Sequence, residues 1–89
     1  MQRHTFNYYT KFNYTQGDVI LCEVCNAVAV DIHHVIPRSK FGSKRKHEQD
    51  HWSNLIALCH HCHTISHQGP GIRQFNDKLK ELVAKRNVL

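Results

Sequence analysis

Residues 58–67 read LCHHCHTISH, two cysteines and four histidines in ten positions. A tetrahedral zinc takes four ligands, so this run holds more donors than one ion uses: either most are bystanders or two sites lie side by side. The remaining cysteines narrow the choice. The chain has four, paired as Cys22/Cys25 and Cys59/Cys62, each pair with C-x-x-C spacing. Such a knuckle sets two thiolates at two corners of one tetrahedron. The spacing therefore predicts a zinc held by Cys22, Cys25, Cys59 and Cys62, structural because four thiolates leave no open position. Between Cys25 and Cys59 lie 33 residues, enough for a strand, a loop and a second strand. Free buried cysteines or disulfides account for the doubled knuckle less well.

With the cysteines assigned, the histidines are left over. A helix from roughly Cys59 to Gln68, stopped by Gly69-Pro70-Gly71, makes His63 and His67 i and i+4 neighbours on one face, spaced to grip one ion. A turn of about 100° per residue carries that face away from the Cys59/Cys62 edge, so two metals can be served without shared ligands. His60 and His61 project elsewhere, towards solvent or phosphate. His33-His34 lies in the β-branched run AVAVDIHHVI, residues 27–36, which reads as a strand. A metal-bound imidazole cannot also take a proton from water, so one of this pair would bind metal while the other acts as base. A free imidazole, with an ordinary pKa of about 6.5, is mostly neutral at pH 7 and suited to that task. Neighbours on a regular strand point to opposite faces. Service of one site by both histidines thus requires the chain to bend near Pro37.

The 89 residues read as one small α+β domain, 1–89, whose limited core calls for a staple. Twelve Lys and Arg against seven Asp and Glu give a net charge of +5 and a pI near 9.2, which points to a polyanionic partner. Arg38, Lys40, Lys44, Arg45 and Lys46 crowd one segment, and Arg73, Lys78, Lys80, Lys85 and Arg86 lie near the C-terminus; a solvated loop and helix face are the plain alternative. The opening MQRHTFNYYTKF has no apolar h-region, and no run is long enough to span a membrane. The expectation is a reducing cytoplasm and no membrane partner. A short helix is expected within residues 1–16, a loop from Arg38 to about Asp50 turning at Gly42-Ser43, and a strand at Leu55–Leu58. A final helix over about 72–88 carries Ile72, Phe75, Leu79, Leu82 and Val83 as an apolar core stripe. Trp52 is read as core rather than as a base-stacking residue.

Taken in order, CEVC, VDIHHVIPR and NLIALCHHCH followed by His67 resemble the HNH family of metal-dependent nucleases over residues 22–67. The resemblance implies a ββα-metal core stapled by the four-cysteine zinc, with the N-terminal segment and C-terminal helix flanking it. By position, His34 resembles the general base that activates water and His33 the first metal ligand. Asn54 resembles the family's middle residue, which holds the base-bearing loop by hydrogen bonds. His63 resembles the third signature residue, a metal ligand on the helix, and His67 sits where the nuclease-colicin branch places one more. Asp31 stands where that branch carries an acidic residue; it can orient an imidazole or simply solvate the strand edge. Many relatives have a Gly-Gly turn after the histidines, where this chain has Phe41-Gly42-Ser43 and a basic insert.

The implied reaction is hydrolysis of DNA phosphodiester bonds to 5′-phosphate and 3′-hydroxyl ends, with one divalent cation at His33 and His63. Imidazole ligands suit Mn, Ni, Co or Zn, while Mg would bind weakly through waters. Arg38, Lys40, Lys44, Arg45 and Lys46 would hold the phosphate backbone. The alternatives are a non-catalytic zinc-stabilised nucleic-acid-binding module, or an HNH subunit of a phage DNA-packaging machine or other DNA-processing assembly in a bacterial host cell.

Overall fold

The computed structural model describes residues 2–88, with the side chains of residues 38, 43 and 46 outside the description. Its centre is a two-stranded antiparallel sheet of β1 (Asp31–His34) and β2 (Leu55–Leu58), paired Asp31 to Leu58 and His34 to Leu55. Two further helices, α3 (His60–His67) and α4 (Ile72–Asn87), follow β2, while α1 (Arg3–Lys11) precedes the sheet and a single turn, α2 (Lys46–Gln49), lies between the strands. Among the described residues no helix is long and apolar enough to cross a membrane.

All four residues of β2 are buried, which explains why LIAL is an unbroken apolar run rather than an alternating one. Ile56 and Leu58 enter a cluster with Cys22, Val35, Cys59, Cys62, Leu79 and Val83. Leu55 and Ala57 enter a second cluster, with Tyr8, Ile20 and Ile32. The strand is thus covered by α3 and α4 on one side and by α1 on the other. The expected stripe of α4 is the covered one: Leu79 and Val83 are buried, and Phe75 and Leu82 pack against the same cluster. Trp52 meets α1, with Phe12 edge-on at 6.3 Å and the Lys11 ammonium 4.3 Å from its ring centre.

Two expectations are corrected. The run 27–36 is not one strand, because its first half folds back on the first cysteine knuckle. Leu21 bridges Val28, the Ala29 amide donates to the Ile20 carbonyl at 2.8 Å, and Asn26 takes a left-handed φ of 67° to turn the chain. Asp31–His34 alone form the strand against β2, joined by one further bond from the Val30 amide to the Leu58 carbonyl at 2.9 Å. The basic segment is not a plain loop either. It coils into two 3-10 turns, Arg38–Lys40 and Ser43–Arg45, and then α2. Gly42, at φ 70°, supplies the left-handed link between the turns.

One partly buried carboxylate joins three layers. Glu23, inside the knuckle, accepts hydrogen bonds from the Tyr8 hydroxyl of α1 at 2.7 Å and the Ala57 amide of β2 at 3.1 Å. It also accepts from the Arg86 guanidinium of α4 at 3.0 Å. Burial, and next the bond to Glu23, push the Tyr8 phenol above its ordinary pKa, so that hydroxyl stays a donor. Arg86 continues to the Trp52 carbonyl at 3.1 Å. Glu23→Ala would strand a cation and two neutral donors at once. It should lower stability by about 3 kcal/mol, read as a shift of the denaturant midpoint at constant slope; a shift below about 0.5 kcal/mol would contradict this role.

Candidate active site and metal centres

The four cysteines converge as the knuckles require. Their sulfurs all lie within 4.8 Å of one another, with Cys25 to Cys59 at 3.6 Å and Cys62 to Cys25 at 3.9 Å. Zinc bonded to sulfur at about 2.3 Å gives a tetrahedron with edges of about 3.8 Å, whereas a disulfide needs about 2.05 Å. The donor set fits a tetrahedral thiophilic ion. Burial pushes the Cys22 thiol up, but the amides of Cys59, Cys25 and Val24 outweigh it and bring its pKa to about 7. Burial and the neighbouring sulfurs push Cys62 the other way. Crowded thiols of this kind favour a bound cation, which would compensate the charge of the thiolates.

Cys59 also starts α3. It is the N-cap, and its sulfur accepts the Cys62 amide at 3.4 Å, so the clamp and the helix phase are set by one residue. From that start the helix carries His63 and His67 to a different face, where they meet His33 of β1. The ring nitrogens of the three histidines fall within 4.8 Å of one another, and His63 Nε2 lies 3.1 Å from His67 Nε2. Nitrogens at about 2.0–2.1 Å from one ion would stand roughly 3.0–3.4 Å apart. Burial, then the neighbouring His67 and His63, lowers the His33 pKa to about 4. That imidazole therefore keeps its lone pair at neutral pH. Asp31, two residues before His33 on the same strand face, reaches His63 Nε2 at 3.2 Å. His60 and His61 are exposed and belong to neither cluster.

His34 points away from His33, as alternation demands, yet both line one cleft of about 660 Å³ with His63, His67, His4 and Lys80. The Val35 amide still donates to the Asn54 carbonyl at 2.8 Å, but the chain bends at Val35 and Ile36, directly after His34. Asn54 fixes that bend. Its Oδ1 accepts the Ile36 amide at 2.8 Å, and its Nδ2 donates to the Ile36 and Gln49 carbonyls, both at 3.0 Å. Asn54 is buried and its side-chain bonds go to backbone groups, so its geometry is that of a brace. His34 Nε2 bonds Asp50 Oδ1 at 2.8 Å, and its ring lies 4.5 Å from that of His4 on α1.

Of the basic segment, Lys40, Lys44 and Arg45 are exposed. The side chains of Arg38 and Lys46 lie outside the described ones. Arg45 is already engaged, its guanidinium 2.6 Å from Glu48 and over the Phe41 ring. His4 and Lys80 line the cleft and Asp50 touches His34, although no motif marks any of the three as a site residue. Lys80 was visible only as one of several charges on α4, and Asp50 stands 16 residues from the histidine it touches.

The parts run in a fixed order: a strand ending in a histidine pair, a buried asparagine before β2, and a helix bearing two further histidines beside a four-thiol cluster. The family model described as HNH endonuclease matches residues 22–69, just over half of the chain and all of these parts except His4, Lys80 and the flanking helices. No curated protein and no solved structure matches the chain significantly. The chain belongs to the HNH endonuclease family.

Proposed function

We propose that the protein is a metal-dependent endonuclease that hydrolyses DNA phosphodiester bonds, with His34 as general base and His33, His63 and His67 holding one divalent cation. The observation that carries this reading is the shared cleft: His34 keeps its ring outside the three-histidine cluster yet opens onto the same space. Two kinds of histidine are needed, since a ligand imidazole cannot also accept a proton. A cation bound there would supply Lewis-acid stabilisation of charge developing on the phosphate and the leaving 3′ oxygen. His34 would take the proton of the attacking water, and Asn54, tied to both Ile36 and Gln49, would keep the strand end that carries His34 from drifting. The four cysteines would hold zinc as a structural staple for a small core. Lys40 and Lys44 would contact backbone phosphates, and so would Lys80 at the cleft wall.

A binding module without catalysis would share the charge and the thiolate clamp. It has no use for three imidazoles within ligand distance of one another beside a fourth held apart.

Supercoiled plasmid incubated with zinc-replete protein should be cut when Mn, Ni, Co or Mg is added. His34→Ala should cut about 10²–10⁴-fold more slowly while remaining folded. Cleavage equal to wild type by His34→Ala would overturn the base assignment, and no cleavage with any of these metals would overturn the enzyme.

DNA affinity, measured on the His34→Ala chain, should fall steeply with salt. Lys44→Ala should reduce the slope of log K against log salt by about 0.9, one phosphate contact. Arg45→Ala should change it less, because Glu48 already occupies that guanidinium. A flat salt response would remove the phosphate role from this segment.

A further inference from the structure

Every part of the family match lies within residues 22–69, yet the ring of His34 is bounded by groups whose support comes from outside it. We infer that Asp50 is the positioning residue of His34, held in place by the N-terminal helix α1; this rests on the reading of His34 as the base.

The chemistry of the contact assigns the proton. A carboxylate can only accept, so at 2.8 Å the hydrogen belongs to His34 Nε2, and the lone pair is left on Nδ1. The proton-accepting nitrogen of the base is thereby specified as Nδ1. The contact is sheltered, with side-chain exposures of 14% for His34 and 13% for Asp50, so water competes weakly for either partner. The backbone that carries the carboxylate is anchored as well. The Asn7 side chain of α1 donates to the Asp50 carbonyl at 2.7 Å. One residue before Asp50, the Gln49 carbonyl accepts from Asn54 Nδ2, which also donates to the Ile36 carbonyl beyond His34. A single amide thus spans the two segments that carry the acid and the imidazole. His4, buried in α1, packs against the ring at 4.5 Å and 45°.

A different occupant deserves comparison, since His4, His34 and Asp50 also place donor atoms within 4.8 Å of one another. An ion at His34 Nε2 would displace the proton. The 2.8 Å separation is that of a hydrogen bond. The two readings differ in one observable, the presence of a proton on Nε2.

The test uses the full, zinc-replete chain labelled with ¹⁵N in histidine. Wild type should show a low-field, exchange-protected Nε2 proton on His34 together with the shift of an unprotonated Nδ1; Asp50→Ala should lose the protected proton. Plasmid cleavage by Asp50→Ala should fall 10- to 100-fold in kcat with KM for DNA unchanged. Asp50→Asn, which keeps an oxygen acceptor, should recover part of it. Asn7→Ala, which leaves the carboxylate and loosens only its anchor, should give a smaller loss in the same direction and keeps the test decisive if Asp50→Ala does not fold. An unprotonated Nε2 in wild type, or Asp50→Ala cutting within twofold of wild type, would overturn the assignment. The proton is read without DNA or catalytic metal. A protected Nε2 proton in a chain that fails to cleave DNA with every metal tried would uphold the contact and count against the nuclease reading alone.

Discussion

The fold depends on the convergence of four sulfurs from two knuckles far apart in sequence. Cys22 and Cys25 come from a tight hairpin and Cys59 and Cys62 from the start of α3, and their sulfurs approach to 3.6–3.9 Å. That convergence does more than staple a small core. Because Cys59 is also the N-cap of α3, the angular phase of the helix is set where the clamp closes, and the phase decides where His63 and His67 point. A one-residue shift of that start would rotate both by about 100° and away from His33.

The second constraint is burial of β2 on both faces. A strand covered by α3 and α4 on one side and α1 on the other cannot slide without exposing apolar side chains, and its register fixes His33 opposite Ile56 and His34 opposite Leu55. Glu23 adds a polar tie among the same layers. The two histidines therefore leave β1 from a rigid base, one towards α3 and the other towards α1. Sites supported by regular elements and their packed neighbours hold geometry better than sites on free loops. Here α1 is part of that support, through His4 and Asn7.

Legibility in the sequence followed the range of the interaction. The knuckles, the i and i+4 histidines, the LIAL strand and the stripe of α4 are local patterns, and each appears where its spacing puts it. The β-branched run 27–36 was less informative. Propensity does not say that Val28 will be spent on a bridge to Leu21, leaving β1 only four residues. The basic segment hid its helical turns because charge dominates its composition. Asp50 and His4 left no signal at all: their contacts with His34 depend on tertiary placement, with no period or motif to announce them. The resolution of the His33-His34 difficulty was equally tertiary, since the bend after the pair is made by Asn54, 18 residues beyond Ile36.

The central claim is that LCHHCHTISH serves two separate centres, Cys59 and Cys62 for one and His63 and His67 for the other. Titration of the metal-free full chain with cobalt(II), followed by its thiolate charge-transfer absorption and by total bound metal, tests this directly. The account predicts two ions per chain. The first should saturate the sulfur signal at one equivalent, and the second should bind without changing it and be lost in a His63→Ala, His67→Ala double variant. One ion per chain, or a sulfur signal that keeps changing through the second equivalent, would contradict it.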